Sequence, residues 1–276
     1  MIRLTKTAWA VLAVLGLAYA APGYAGRSCE QRPPNVQTIT QGMALAQKTA
    51  SYLDAEYVKT GTRVVLLARA GQDLSKYGLR YSHLGFAYKT PEGPWRVVHK
   101  LNQCGTAEAA VYRQGLGEFF LDDLWRYEAA WLVPTQDVQA RLLAFVQDPQ
   151  RATSLHAKPY SIVSYAWGQK YQQSNQWATE TLAAAMDDYA PSSAYLTGRR
   201  DRAQAWLMNR GYQPTTLHIS ALTRLGARVS AANVAFDDHP NDKRFSDRIE
   251  TVTVDSVFAW MPRAGLGAPP VRMELP

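Results

Sequence analysis

Apolar positions between residues 38 and 58 recur at helical spacing. Met43, Leu45, Ala46, Ala50, Leu53 and Tyr57 fall on one stripe, which predicts an amphipathic helix over Thr38–Val58. The pattern then changes. "TRVVLLARA" is a run of β-branched and aliphatic residues closed by Gly71, the signature of a buried strand. "LRYSHLGFAYK" and "PWRVVHKL" read as two further strands, and the Pro and Gly of the intervening "TPEG" mark a hairpin turn. "LGEFFLDDLWRY" reads as a short helix and "EAAWLVP" as a strand stopped by Pro134. "TQDVQARLLAFVQD" is a helix with Thr135 as N-cap. A polar loop over 149–159 and an irregular aromatic stretch, "YSIVSYAWGQKYQQ", lead into the helix "SNQWATETLAAAM". Beyond "DDYAPSS" a helix is expected from about Gly198 to Asn209, followed by strand-like "TTLHIS" and "ETVTVDSVFAWM" on either side of polar "DDHPNDKRFSD". Helix, antiparallel strands, helices and strands in that order predict an α+β fold, not alternating βαβ units.

The N-terminus adds a compartment. Arg3 and Lys6 precede an apolar run over about 7–21, and small residues follow up to Gly26, the order of a secretory signal. Gly23-Tyr24-Ala25 is the expected processing site, which makes residues 1–25 a removable signal peptide. A retained anchor is the alternative, although the run is short for a membrane span. Gly26, Arg27 and Ser28 make a poor lipoprotein box before Cys29, and no later segment is apolar enough to span. The expectation is a periplasmic or secreted protein with no membrane span after processing.

Export changes how the two cysteines are read. In an oxidising compartment Cys29 and Cys104 are expected to pair, tying the N-terminal arm to the body. The long loop so closed would contribute roughly 3–5 kcal/mol in the chain-entropy description. A catalytic role for Cys104 is the rival, with no clear helix N-terminus in "LNQCGTAEAAVY" to support it. The formal charge is +7, of which Arg3 and Lys6 carry two. Basic residues gather in "TGRRDRAQAWLMNRGYQPTTLHISALTRLGAR", a segment suited to an anionic envelope polymer or lipid headgroups, or simply a solvated helix face. Nothing resembles a nucleic-acid recognition motif.

Candidate chemistry is confined to a few side chains. The chain has no phosphate-binding GxxxxGK, no HExxH, no CxxC and no GxSxG. None of its five histidines is spaced for metal ligation, and neither a metal nor a cofactor is expected. The oxygen-rich "DDHPNDKRFSD" around His239 fits no calcium loop and reads as a solvated turn. His83 and His99, however, occupy the ends of the two strands that the "TPEG" turn folds together, so they are expected to be neighbours across the pair. His83 could then accept a proton while His99 orients its ring. Ser174, at a helix start, reads either as an N-cap or as a nucleophile facing an oxyanion site formed by free backbone N–H groups. Asn175 and Gln176 are candidates to hydrogen-bond an amide or sugar, or to cap and solvate the first turn. Tyr165, Trp167 and Tyr171 are candidates to line a groove, and Glu180 is assigned no role.

Against these residues a resemblance can be set. "YSHLGFAY…PWRVVHK" resembles the "SHVGI…FVHA" strand pair of papain-like amidases and peptidases of the NlpC type. "QSNQWATETL" is similar to the "YCSELV" or "NCEHFV" helix start of their circularly permuted branch, and "KPYSIV" to the approach to that helix. The resemblance covers about 80–186. It places His83 at the general base, His99 at the third polar position and Ser174 where those enzymes carry the nucleophilic cysteine. The whole chain also resembles a bacterial family of exported proteins, domain of unknown function 2145. Serine in place of cysteine is a departure, because such a pocket is shaped for a thiolate–imidazolium pair.

The expected architecture is therefore a permuted papain-like α+β core over 26–190, with 191–276 an extension packing on it. Its role would be that of a non-catalytic envelope binding or accessory protein with a relic cleft. The alternative is a Ser-His-His hydrolase or acyltransferase acting on amide or ester bonds. In either case the partner is a cell-envelope component or a small ligand.

Overall fold

The computed structural model describes residues 34–122, 124–187 and 200–275. The expected signal peptide and Cys29 lie outside them. The long helix α1 (Val36–Thr60) starts at Asn35, whose side chain accepts from Thr38 N–H, and stops at Gly61 in the left-handed conformation (φ 74°). It is followed by β1 (Val64–Ala70), β2 (His83–Lys89), β3 (Trp95–Asn102) and β4 (Ala109–Gly115). A short helix α2 (Leu116–Phe120), β5 (Arg126–Leu132), and helices α3 (Gln136–Gln147) and α4 (Pro149–Thr153) come next. The helix α5 (Ser174–Met186) is fully buried through its first turns. Helix α6 (Arg200–Asn209), β6 (Thr215–His218), α7 (Ala221–Ser230), α8 (Asn241–Phe245), β7 (Arg248–Thr251), α9 (Val254–Arg263) and β8 (Val271–Glu274) complete the order.

The architecture is α+β. Six strands form one antiparallel sheet in the order β4-β3-β2-β1-β5-β8, and β6 and β7 form a separate antiparallel pair. The apolar run of β1 over Val64–Ala68 has a simple cause: the strand is central and buried on both faces. Its even-numbered residues Val64, Leu66 and Ala68 pack with α3, α5 and α9 through Leu142, Trp177, Leu182 and Met261. Its odd-numbered residues Val65 and Leu67 pack with α1 and α2 through Leu45, Leu53, Phe119 and Phe120. Strand alternation thus sorts one sequence run into two cores.

One expectation differs from the structure, and two elements went unassigned. "ETVTVDSVFAWM" divides into the short β7 and the helix α9, because Thr253 caps the helix: its hydroxyl accepts from Ser256 N–H at 3.1 Å, and the Ser256 hydroxyl accepts from Thr253 N–H at 3.2 Å. "AAVYRQG", unassigned by its pattern, is the edge strand β4. The segment after β6 forms α7, capped by Ser220. The C-terminal residues do not merely lie against the sheet. β8 pairs with β5 through Glu128↔Glu274 to Trp131↔Val271, and Trp260 and Met261 enter the larger core.

Candidate functional site

The two histidines do meet, though not as directly opposed residues. The register places Phe86 opposite Val98, so His99 faces Gly85 and His83 lies diagonally from it on the same face. Close approach is possible because position 85 has no side chain: a Cβ there would lie 2.9 Å from His99 Cβ and 3.1 Å from the Val98 carbonyl oxygen. His83 Nε2 and His99 Nδ1 are 2.8 Å apart, and His99 Nε2 is 2.7 Å from Gln114 Oε1 on β4. Phe119 of α2 closes over the pair, its ring centroid 5.9 Å from His83 and 5.2 Å from His99.

This chain sets the tautomers. The Gln114 amide oxygen only accepts, so His99 Nε2 carries the proton and His99 Nδ1 offers its lone pair. His83 Nε2 must then donate, and His83 Nδ1 is left as the unprotonated nitrogen. Both rings are held neutral. Burial is the largest cause, followed by the positive charge of Arg69, which lies directly opposite His83 across the β1–β2 pair. His99 is lowered to about 3 and His83 well below its ordinary value. Forming an imidazolium at His99 at neutral pH therefore costs on the order of 5 kcal/mol. Arg69 is itself fixed: its guanidinium donates to the Phe119 carbonyl and to Asp122, 4.8 Å from the Phe119 ring centroid.

Ser174 arrives from the other side of the sheet. It is the first helical residue of α5, not its cap; Gln173 is the cap, and its side-chain oxygen accepts from Asn175 N–H at 2.7 Å. Ser174 lies beside the phenol of Tyr160, whose pKa burial pushes up while the Ser174 hydroxyl and N–H draw it down. Among the described residues no hydrogen bond joins Ser174 to His83. Helix α5 packs on the face carrying Leu84, Phe86 and Val98, whereas His83 and His99 lie on the face covered by α2. What anchors the helix start is Asn175: its oxygen accepts from Leu84 N–H at 2.9 Å and its nitrogen donates to the Ser82 carbonyl at 3.3 Å.

His83, Ser174, Asn175, Tyr160 and Arg69 nevertheless share a cleft of about 580 Å³ at this end of the sheet. Its far wall is formed by Leu217 and Ile219, with Thr251 of β7, so the small sheet closes what the large one opens. Trp125 stands at the rim, 43 % exposed. The other sequence candidates lie elsewhere. Gln176 is fully buried, donating to the Tyr165 and Ala166 carbonyls and accepting from the Ser164 hydroxyl. Tyr165 packs on His239, Trp167 on Tyr212, and Tyr171 beside Lys170 and Asp237; none of the three lines the cleft. Cys104 lies in the turn between β3 and β4. Among the described residues no group of three His, Cys, Asp or Glu is placed to hold a metal.

The sequence reading missed Arg69 and Gln114, and met Tyr160 only as part of the "KPYSIV" approach, with no role of its own. Arg69 alone left a signal, a charge inside an otherwise apolar strand, which demands a buried partner. Glu180 also has a place. Its carboxylate accepts from Arg200 Nε at 2.8 Å, from Gln204 at 2.7 Å and from Gln172 at 2.6 Å. Gln172 in turn accepts from the fully buried Lys100 at 2.7 Å, and burial, then Arg200, push that ammonium down to about 7.

Residues 56–261, which hold this cleft and both histidines, match the family described as "Uncharacterized protein conserved in bacteria (DUF2145)". The chain belongs to that family. No curated protein and no solved structure matches it. The family span begins in α1 and ends in α9, so it takes in the β6–β7 pair that walls the cleft and leaves out β8.

Proposed function

We propose that the protein is a non-catalytic binding or accessory protein of the cell envelope, its ligand seated in the Ser174–His83–Tyr160 cleft. The fold is read as permuted papain-like: a paired-strand histidine dyad and a serine at a helix start stand in the order of the NlpC-type resemblance. Periplasmic or secreted localisation rests on the N-terminal signal pattern. The observation that carries the non-catalytic reading is Arg69. A fixed positive charge directly opposite His83 penalises the imidazolium that a serine-activating base must become. Hydroxyls, a neutral imidazole and apolar walls, with Arg69 paired to Asp122 and with Asp73 and Lys76 opposite in sign, suit an uncharged amide- or ester-bearing ligand.

One observation favours the hydrolase alternative: the Gln114–His99–His83 chain leaves Nδ1 of His83 with a free lone pair, the orientation a general base needs. The deciding experiment is labelling with a fluorophosphonate probe. The binding reading expects no Ser174 adduct, and an iodoacetamide rate for Ser174→Cys that His83→Ala leaves unchanged. Stoichiometric labelling of the natural serine, lost in His83→Ala, supports the hydrolase instead. Binding is measured by calorimetric titration with envelope-derived peptides, with Ser174→Trp expected to fill the cleft and abolish the heat.

A further inference from the structure

Helix α7 is built inside out. Its inward side carries Arg224 and Ala227, the former buried and paired to Asp247 at 2.5 Å, the latter packed on the small core of Leu217, Ile219 and Ile249. Its large apolar residues point away from the body: Leu222 is 82 % exposed, Leu225 63 % and Val229 83 %. At 100° per residue these three fall within a 60° arc, with Gly226 beside them, so they form one continuous stripe. Exposed singly, such residues need no explanation; aligned on one helix face they do.

A second exposed ring lies at the same end. β6 and β7 pair with His218 opposite Arg248; α7 starts three residues after β6 ends, and α8 ends three before β7 begins. Phe245, the last residue of α8, is 71 % exposed there, with the Arg244 guanidinium 4.9 Å from its ring centroid. The surrounding charge is basic. Helix α7 has no acidic residue, and Arg228 and Arg248 are exposed; among the described residues the carboxylate ion-paired to α7 is Asp247, held by Arg224, and α8 carries Asp242 beside Lys243 and Arg244.

We propose that α7 and Phe245 form an interfacial docking surface for an anionic phospholipid bilayer. The apolar stripe would enter the headgroup–acyl boundary while Arg228 and Arg248 meet lipid phosphates. Charge complementarity selects this occupant: an arginine-flanked leucine stripe lying flat is the composition of an interfacial helix. The cleft wall residues Leu217 and Ile219 immediately precede α7, so docking would hold the cleft mouth near the bilayer surface.

Flotation of the full chain with vesicles tests this. Binding to phosphatidylglycerol-containing vesicles is expected, weaker with pure phosphatidylcholine and weaker again in high salt. Leu222→Ser/Leu225→Ser should lower vesicle partitioning about tenfold or more. Its circular dichroism and melting midpoint should match the parent, since both side chains already face solvent. Hydrogen exchange across 219–231 should slow on adding anionic vesicles in the parent only. Equal binding of parent and variant would place any membrane affinity elsewhere and overturn the proposal. So would an absence of vesicle binding together with a concentration-dependent dimer that Leu225→Asp abolishes, which would make the stripe a self-association surface.

Discussion

His99 shows how burial becomes pH dependence. Its folded pKa, about 3, lies below the ordinary 6.5, so the unfolded chain binds more protons between those values. Stability is then fully present above pH 6.5 and is lost as pH falls towards 3. One such histidine contributes about 2 kcal/mol of loss between pH 6.5 and 5. His83 and His156 are shifted in the same direction, the latter to about 4. Denaturant unfolding across that window should therefore show falling stability, with a shallower fall in His99→Asn; identical slopes would mean that His99 is not buried as a neutral ring. Gly85 is the second residue-scale test. Its missing side chain is what admits the His99 ring, and the Val98 carbonyl cannot yield as a flexible side chain would. Gly85→Ala is expected to cost about 1–3 kcal/mol and to separate the two imidazoles. Histidine ring resonances would report that separation.

At the scale of elements, α5 is held by polar contacts at two points. Asn175 clamps its start to β2, and replacing it by Ala leaves the buried Leu84 N–H without an acceptor, a loss of about 2 kcal/mol by chemical denaturation. Two turns on, Glu180 collects Arg200, Gln204 and Gln172, joining α5 to α6 and, through Lys100, to β3. Glu180→Gln would remove the counter-charge of the buried Arg200 guanidinium, which also donates to the Gly168, Gln169 and Tyr171 carbonyls, and is expected to cost about 3–5 kcal/mol. A loss below about 1 kcal/mol would show that those carbonyls alone hold the Arg200 charge. The helix thus owes its place less to propensity than to a polar network closed from three elements.

For the whole molecule, the C-terminal strand is the element to remove. β8 covers the β5 edge of the sheet, and Met273 packs beside Trp131 in the smaller core. Deleting residues 268–276 should uncover that edge and produce aggregation visible by light scattering. A second test concerns the expected Cys29–Cys104 pair: alkylation before reduction should add no mass to protein isolated without reductant. What the sequence determined by itself was whatever depends on near neighbours along the chain. The helical stripe of α1, the apolar run of β1, the "TPEG" hairpin, the Thr135 cap and the proximity of His83 to His99 all follow from period, turn chemistry and local pairing. The α9 cap was present in "TVTVDS" too, but the β-branched residues around it read as strand. Tertiary structure alone decided the rest, because it depends on which strand faces reach which helices. It set His83 diagonal to His99, brought Arg69 opposite His83 across β1 and β2, and turned Ser174 to Tyr160 from the opposite side of the sheet. It also buried Gln176 and withdrew Tyr165, Trp167 and Tyr171 from the cleft. Charge and hydrogen-bond partners at the site come from residues as distant in sequence as Arg69, Tyr160 and Thr251, and no periodicity along the chain encodes their meeting.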